Sequence, residues 1–247
     1  MQTFALNTTL FAVLGLVIGS FLNVLILRIP KDENIAFPPS HCTSCNKPLK
    51  WWHNIPLFSY LFLKGRCYYC KEKISLQYPL VELASAFIFV ISYIKTQDLL
   101  TGIIVALVFD LLLALSIIDF RYKAVPDSLN LTALTLSIFT GNIATSFTNA
   151  LLFAGGFTLL RFYVSFFAKK EALGEADIMI AATMGAMLGV KLGLFSIFFS
   201  ALIALPVFLI AGKKDIQLPF IPFLAISLGI VYFFDSYFIN FISWLYE

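Results

Sequence analysis

Ser116-Ile117-Ile118-Asp119-Phe120-Arg121-Tyr122-Lys123-Ala124-Val125-Pro126-Asp127 closes a long apolar run, 99–118, on an aspartate, two cations, a proline and a second aspartate. Another apolar run begins directly after it. A carboxylate at the edge of hydrocarbon is costly unless it is paired or used. One other stretch answers this one: Leu173-Gly174-Glu175-Ala176-Asp177-Ile178 again delivers an aspartate from a short polar loop to the mouth of an apolar segment. Asp119 and Asp177 together read as a two-carboxylate hydrolytic site at a membrane surface. Two such acids cannot both ionise cheaply, so one keeps its proton while the other activates water.

The composition agrees with a membrane setting. Of 247 residues, 60% are hydrophobic and 13% charged, and the mean hydropathy is +0.90. Soluble domains hold about 45–50% apolar and about 25% charged residues. The fold class is therefore an all-α polytopic membrane protein, with lipid as its surroundings. The net charge of +3 gives no reason to expect a nucleic-acid partner. The first apolar run has no basic residue ahead of it and no small-residue cleavage site behind it, and it is too long for a signal peptide.

A crossing needs about 20 mainly apolar residues. That ruler predicts eight, near 4–27, 79–95, 99–118, 128–147, 149–167, 172–190, 192–211 and 219–243. A seven-span alternative joins the sixth and seventh as one broken helix, 178–211. Basic residues collect in cytoplasmic loops, and they favour eight. Arg28, Lys31, Lys47, Lys50, Lys64, Arg66, Lys71, Lys73, Arg121, Lys123, Arg161, Lys169, Lys170, Lys213 and Lys214 fall in loops of one parity, leaving only Lys95 and Lys191 for the other. The predicted organisation is a first transmembrane helix (1–27), a cytoplasmic segment (28–78) and a membrane core (79–247), with both aspartates facing the cytoplasm.

All four cysteines lie in 28–78, as Cys42-x-x-Cys45 and Cys67-x-x-Cys70 separated by 21 residues. This is the spacing of two knuckles pointing four thiolates at one structural zinc. About fifty residues build little core alone, so a metal staple is physically useful. A pair of disulfides or idle buried thiols is the alternative, the disulfides disfavoured by a reducing cytosol. His41 and His53 read as loop residues rather than ligands.

The acidic residues have a plainer reading too. Asp119 and Asp177 could cap helix ends, and Asp127, following Val125-Pro126, fits a turn and N-cap before the next span. Glu82 and Asp110 fall inside spans and are functional candidates by default, or neutral acids bonded to a neighbouring helix. Asn23 and the Gly15/Gly19 spacing suggest helix packing in the first span.

Taken in order, the motifs resemble one family. They are Gly19-Ser20-Phe21-Leu22-Asn23-Val24, Arg28, Pro30, Pro38-Pro39-Ser40-His41-Cys42, Cys45, Asn54-Ile55-Pro56, Gly65-Arg66-Cys67, Cys70, Tyr78-Pro79-Leu80-Val81-Glu82-Leu83, Ile118-Asp119, Val125-Pro126-Asp127 and Gly174-Glu175-Ala176-Asp177. This series resembles the prepilin peptidases, membrane aspartic proteases of the Gly-x-Gly-Asp kind. The resemblance implies Asp119 and Asp177 as catalytic, with Gly174, Asp127 and Glu82 in support. It implies removal of a short basic leader, after a glycine, from type IV prepilins or pseudopilins on the cytoplasmic face of a bacterial inner membrane. It further implies N-methylation of the new terminus with S-adenosylmethionine, associated with the cysteine-bearing segment. Ala176 departs from the pattern, standing where the second motif glycine is expected. The rival from another class is a proton- or ion-coupled transporter with a structural zinc knob. That would require acidic residues at mid-membrane in paired repeat halves. Only Glu82 and Asp110 suit it.

Overall fold

The computed structural model describes residues 2–169, 174–211 and 219–246. Its helices are α1 (Gln2–Arg28), α2 (Phe58–Phe62), α3 (Gln77–Thr96), α4 (Leu99–Tyr122), α5 (Asp127–Ser137), α6 (Ile143–Ala168), α7 (Glu175–Ala211), α8 (Ile221–Phe233) and α9 (Asp235–Tyr246). Among the described residues there is no β-strand, only the isolated bridges His41↔Pro48 and Arg66↔Lys73. The chain forms two compact units, Met1–Ala106 and Leu107–Glu247, dividing within α4. α3, grouped by sequence with the helices after it, thus lies in the first unit.

Five of these helices, α1, α3, α4, α6 and α7, are long and apolar enough to cross a membrane; α8 and α9, bent by 85° at their junction, add a sixth if taken as one span. Two expected spans come out differently. The run 128–147 is not one helix. α5 stops at Ser137 after 11 residues, a single 3-10 turn follows, and Asn142 starts α6 by accepting from the backbone N–H groups of Ala144 and Thr145 at 3.1 and 3.3 Å. Gly141-Asn142 supplies a helix start inside an apolar stretch, so α6 begins at 143 instead of 149. The boundary between 172–190 and 192–211 is a kink rather than a loop: α7 is two helices that meet at Gly189, whose φ of +71° is open to glycine. The start expected at 172, and the cations Lys170, Lys213 and Lys214, lie outside the described residues.

In the first unit α1 packs on α3 with almost no space between backbones. A Cβ at Gly15 would fall 2.6 Å from the Ala86 Cα, and one at Gly19 would fall 2.8 Å from the Glu82 Cα. Ser85 donates from its hydroxyl to the Gly15 carbonyl at 2.7 Å across this contact. Small residues that let helices meet, with hydroxyls as glue, are the means of association in lipid, where burying apolar surface gains little. Asn23 adds a bond to the Tyr78 carbonyl at 3.2 Å.

In the second unit α7 is central, packing on α5, α6 and α8. Phe153 of α6 fills the space left by Gly185 and Gly193 of α7, where added Cβ atoms would fall 2.5 and 2.7 Å from its ring. Ser227 of α8 donates to the Ser196 carbonyl of α7 at 2.6 Å. Phe109 of α4 meets Tyr232 and Phe233 of α8 at centroid distances of 5.7 and 5.0 Å. These contacts bring the end of α4, the start of α7 and the start of α8 together.

Candidate active site

Asp119 sits in the last turn of α4, 8% exposed. A carboxylate is disfavoured at a helix C-terminus, because the carbonyl end of the helix dipole is already negative. Capping therefore does not explain it. Its Oδ2 instead accepts from the backbone N–H of Ile221, the first residue of α8, at 3.2 Å. That N–H has no partner within its own helix, and the positive end of the α8 dipole faces the acid.

Asp177 is the third residue of α7, and the Gly174 backbone N–H reaches back to its carboxylate. This is half of a capping box, so the capping reading does describe part of its environment. It does not exhaust it: the charge of Asp119 acts on Asp177. The structure therefore brings the two aspartates within electrostatic reach of one another, from helices 58 positions apart in the chain.

The loop ahead of α7 is tight. A Cβ at Gly174 would lie 3.1 Å from Asp177 Oδ2, so a larger residue there would press on the acid. Ala176 has ordinary helical backbone within α7, and no Cβ penalty arises at that position. Its carbonyl accepts from Asn130 Nδ2 at 3.1 Å. Asn130, fully buried on α5, thereby ties that helix to the start of α7. Arg161 and Glu175 make an exposed ion pair at 3.0 Å between α6 and α7. Such a pair is worth about 0–1 kcal/mol.

Asp127 is a correction. The cap position of α5 belongs to Pro126, and Asp127 is the first helical residue, exposed to solvent. Its charge still suits a helix N-terminus. Glu82 is 7% exposed on α3 and accepts from the Leu57 backbone N–H at 2.8 Å, in the first unit. Asp110 is buried within α4. Sequence reasoning missed Asn130 and the Ile221 N–H. For the latter a signal existed: Pro222 next to the start of an apolar run marks a helix N-terminus.

The cysteine segment folds as two equivalent knuckles. Cys42 N–H donates to Lys47 O and Asn46 N–H to Cys42 O; 25 residues on, Cys67 N–H donates to Glu72 O and Lys71 N–H to Cys67 O. Asn46 and Lys71 both take positive φ, 55° and 62°, to close these turns. The sulfurs of Cys42, Cys45, Cys67 and Cys70 lie within 4.8 Å of one another, with no disulfide and with Cys42 and Cys70 at 3.8 Å. A tetrahedron with Zn–S bonds of about 2.3 Å has edges of about 3.8 Å, so the donor set fits zinc. Burial raises the Cys42 thiol, but the backbone N–H groups of Cys45 and Ser44 and the nearby cysteines outweigh it, leaving it at about 6. At Cys70 the Glu72 backbone N–H lowers the thiol, but lost hydration and the other three sulfurs push it to about 12. His41 and His53 lie outside the cluster: His41 Nδ1 meets the Pro39 carbonyl, and His53 accepts from the Lys50 backbone N–H.

Residues 104–234 match the type IV leader peptidase family, and residues 13–96 match the bacterial peptidase A24 N-terminal domain. The chain belongs to the type IV leader peptidase family. A prepilin leader peptidase/N-methyltransferase of Xanthomonas campestris is 35% identical, over 90% of each chain. One from Klebsiella pneumoniae is 38% identical over 71% of this chain and 82% of its own. One from Vibrio cholerae is 29% identical over 91% of this chain and 95% of its own. No solved structure matches. The N-terminal match spans both knuckles, and the leader peptidase match spans both aspartates.

Proposed function

We propose that this protein is a bifunctional prepilin leader peptidase and N-methyltransferase, with Asp119 and Asp177 as its proteolytic pair. The observation that carries the pair is that the charge of Asp119 reaches Asp177, with Asp119 held by the Ile221 N–H and Asp177 by the Gly174 N–H.

Cleavage then follows from two acids sharing one proton. The ionised carboxylate takes a proton from water, the hydroxide attacks the scissile carbonyl carbon, and the protonated partner donates to the carbonyl oxygen. Collapse of the tetrahedral adduct breaks the C–N bond, and the amine leaves with a proton from the acid that had taken it. Asp119 Oδ2 is engaged as an acceptor, so its other oxygen is the one free to handle the proton. The short basic leader is cut after a glycine, at the cytoplasmic surface of a bacterial inner membrane. The apolar helix of a prepilin or pseudopilin stays in lipid.

Cys42, Cys45, Cys67 and Cys70 would hold a zinc ion with all four thiolates and leave no open position, so its role would be to staple the 28–78 segment. S-adenosylmethionine supplies a methyl group for the new N-terminal amine. One cleft of the first unit fits it poorly. Lys64, Arg66 and Lys73 face that cleft with no acid among its lining residues, whereas the cofactor carries a sulfonium and a net positive charge. We derive no step through it.

The topology is part of the same proposal. α7 would be about 56 Å long if straight, too long for one apolar layer of about 30 Å. Separate crossings by its two halves about Gly189, with one by the bent α8–α9 pair, bring the count to seven, and the eighth expected span falls on α5, whose 11 residues are shorter than a crossing. The functional division is then 1–27, 28–78 and 79–247. Incubating the purified enzyme with a prepilin-like peptide, with and without a chelator, tests the mechanism. Cleavage that survives chelation supports the aspartate pair, and full cleavage by Asp119→Ala or Asp177→Ala refutes it.

A further inference from the structure

The segment between α1 and α3 carries its aromatic residues on the outside. Trp51, Phe58, Leu61 and Phe62 are 74, 57, 71 and 83% exposed, and Trp52 lies beside them. Phe58, Leu61 and Phe62 stand at i, i+3 and i+4 of α2 and share one face. So many exposed large apolar side chains on so small a segment mark an interaction site.

One hydrogen bond says what covers it. Glu82 of α3 accepts from the backbone N–H of Leu57, the residue immediately before α2. Glu82 lies five residues past the start of α3, about 7–8 Å along its axis. α3 has 20 residues, the length that just spans an apolar layer. Helical side chains tilt toward the helix N-terminus, so the Glu82 carboxylate reaches back toward the start of α3 and holds Leu57 close to the headgroup boundary, where α2 starts. Leu57 adopts a φ of 59° to make the turn. Cations stand beside Trp52 and on the Tyr60 side of α2. Lys50 Nζ lies over the Trp52 ring at 4.9 Å. A cleft of about 440 Å³ is lined by Tyr60 of α2 and by Lys64, Arg66, Lys73 and Leu76. Aromatic rings at headgroup level, flanked by lysine and arginine, are the pattern of interfacial anchors on anionic lipid.

We infer that α2, with Trp51 and Trp52, is seated in the headgroup layer of an anionic phospholipid bilayer, and that the Lys64–Arg66–Lys73 cleft takes a lipid phosphate. The inference rests on α3 being a span and not on the protease assignment.

Trp51, Trp52 and Trp244 are the only tryptophans in the chain, so Trp244→Phe isolates the two of interest. The full-length variant is placed in nanodiscs containing brominated phosphatidylglycerol or brominated phosphatidylcholine, and tryptophan emission is compared with unbrominated controls. The expected result is blue-shifted emission quenched about twofold or more, more strongly by the anionic lipid. Adding Phe62→Glu should cut the quenching by about half or more. Unquenched, red-shifted emission in both lipids overturns the inference. So does protection that appears only on adding a prepilin-like peptide, which would make this a substrate surface. Equal quenching by the two lipids overturns the anionic headgroup assignment.

Discussion

Asp119 Oδ2 accepts the Ile221 N–H at 3.2 Å, across 102 residues of chain. The C-terminal end of one helix thus presents its acid to the N-terminal end of another. A carboxylate that would be out of place at the end of α4 is stabilised by the start of α8. The second aspartate comes from the start of α7, where its own loop N–H holds it.

Removing either acid should end proteolysis. Asp119→Ala and Asp177→Ala are each expected to lose about a thousandfold or more in cleavage of a prepilin-like peptide while still inserting into membranes. Full cleavage by either variant would refute the pairing. Asp127→Asn, at an exposed first helical position, should be far milder.

Gly174 and Asn130 should act through Asp177. Gly174→Ala puts a methyl group 3.1 Å from the Asp177 carboxylate, and a misplaced acid costs about 10- to 100-fold in rate. Asn130→Ala removes the bond to the Ala176 carbonyl, net about 1 kcal/mol, and should lower kcat by several-fold with KM little changed. A rise in KM alone would instead make Asn130 a substrate contact.

Loss of zinc should separate the two activities. Cys42→Ser or Cys70→Ser is expected to remove one bound zinc per chain, measured by metal analysis, and to impair methylation more than cleavage. Equal loss of both would assign the segment a role in folding the whole enzyme.

Thiol reactivity in zinc-stripped protein should not follow exposure. Cys70 is exposed, but its thiol is pushed up to about 12, while the less accessible Cys42 sits at about 6. The thiolate is the nucleophile. At pH 7 iodoacetamide should label Cys42 before Cys70, as read by peptide mass spectrometry. The opposite order would mean that the four sulfurs separate once the metal is gone.

The α1–α3 contact has no room for a side chain. Gly19→Leu, opposite the Glu82 Cα, should destabilise the first unit by about 1–3 kcal/mol, seen as a lower melting midpoint in detergent. An unchanged midpoint would show that the helices can part at no cost.

What the sequence determined by itself is the membrane setting, the two knuckles and the two aspartates. Transfer into lipid is summed over about 20 neighbouring residues, and a Cys-x-x-Cys turn closes over four, so both are local properties of the chain. Even the close approach at Gly15 and Gly19 was visible in their spacing. Tertiary structure alone decided that α5 stops at Ser137, that α7 kinks at Gly189, that Asn130 ties α5 to Ala176, and that Leu57 docks on Glu82. It also decided which helix N-terminus receives Asp119. Hydropathy scores how much a segment prefers lipid, whereas a buried acid is satisfied by whichever unpaired N–H the packing of other helices brings to it.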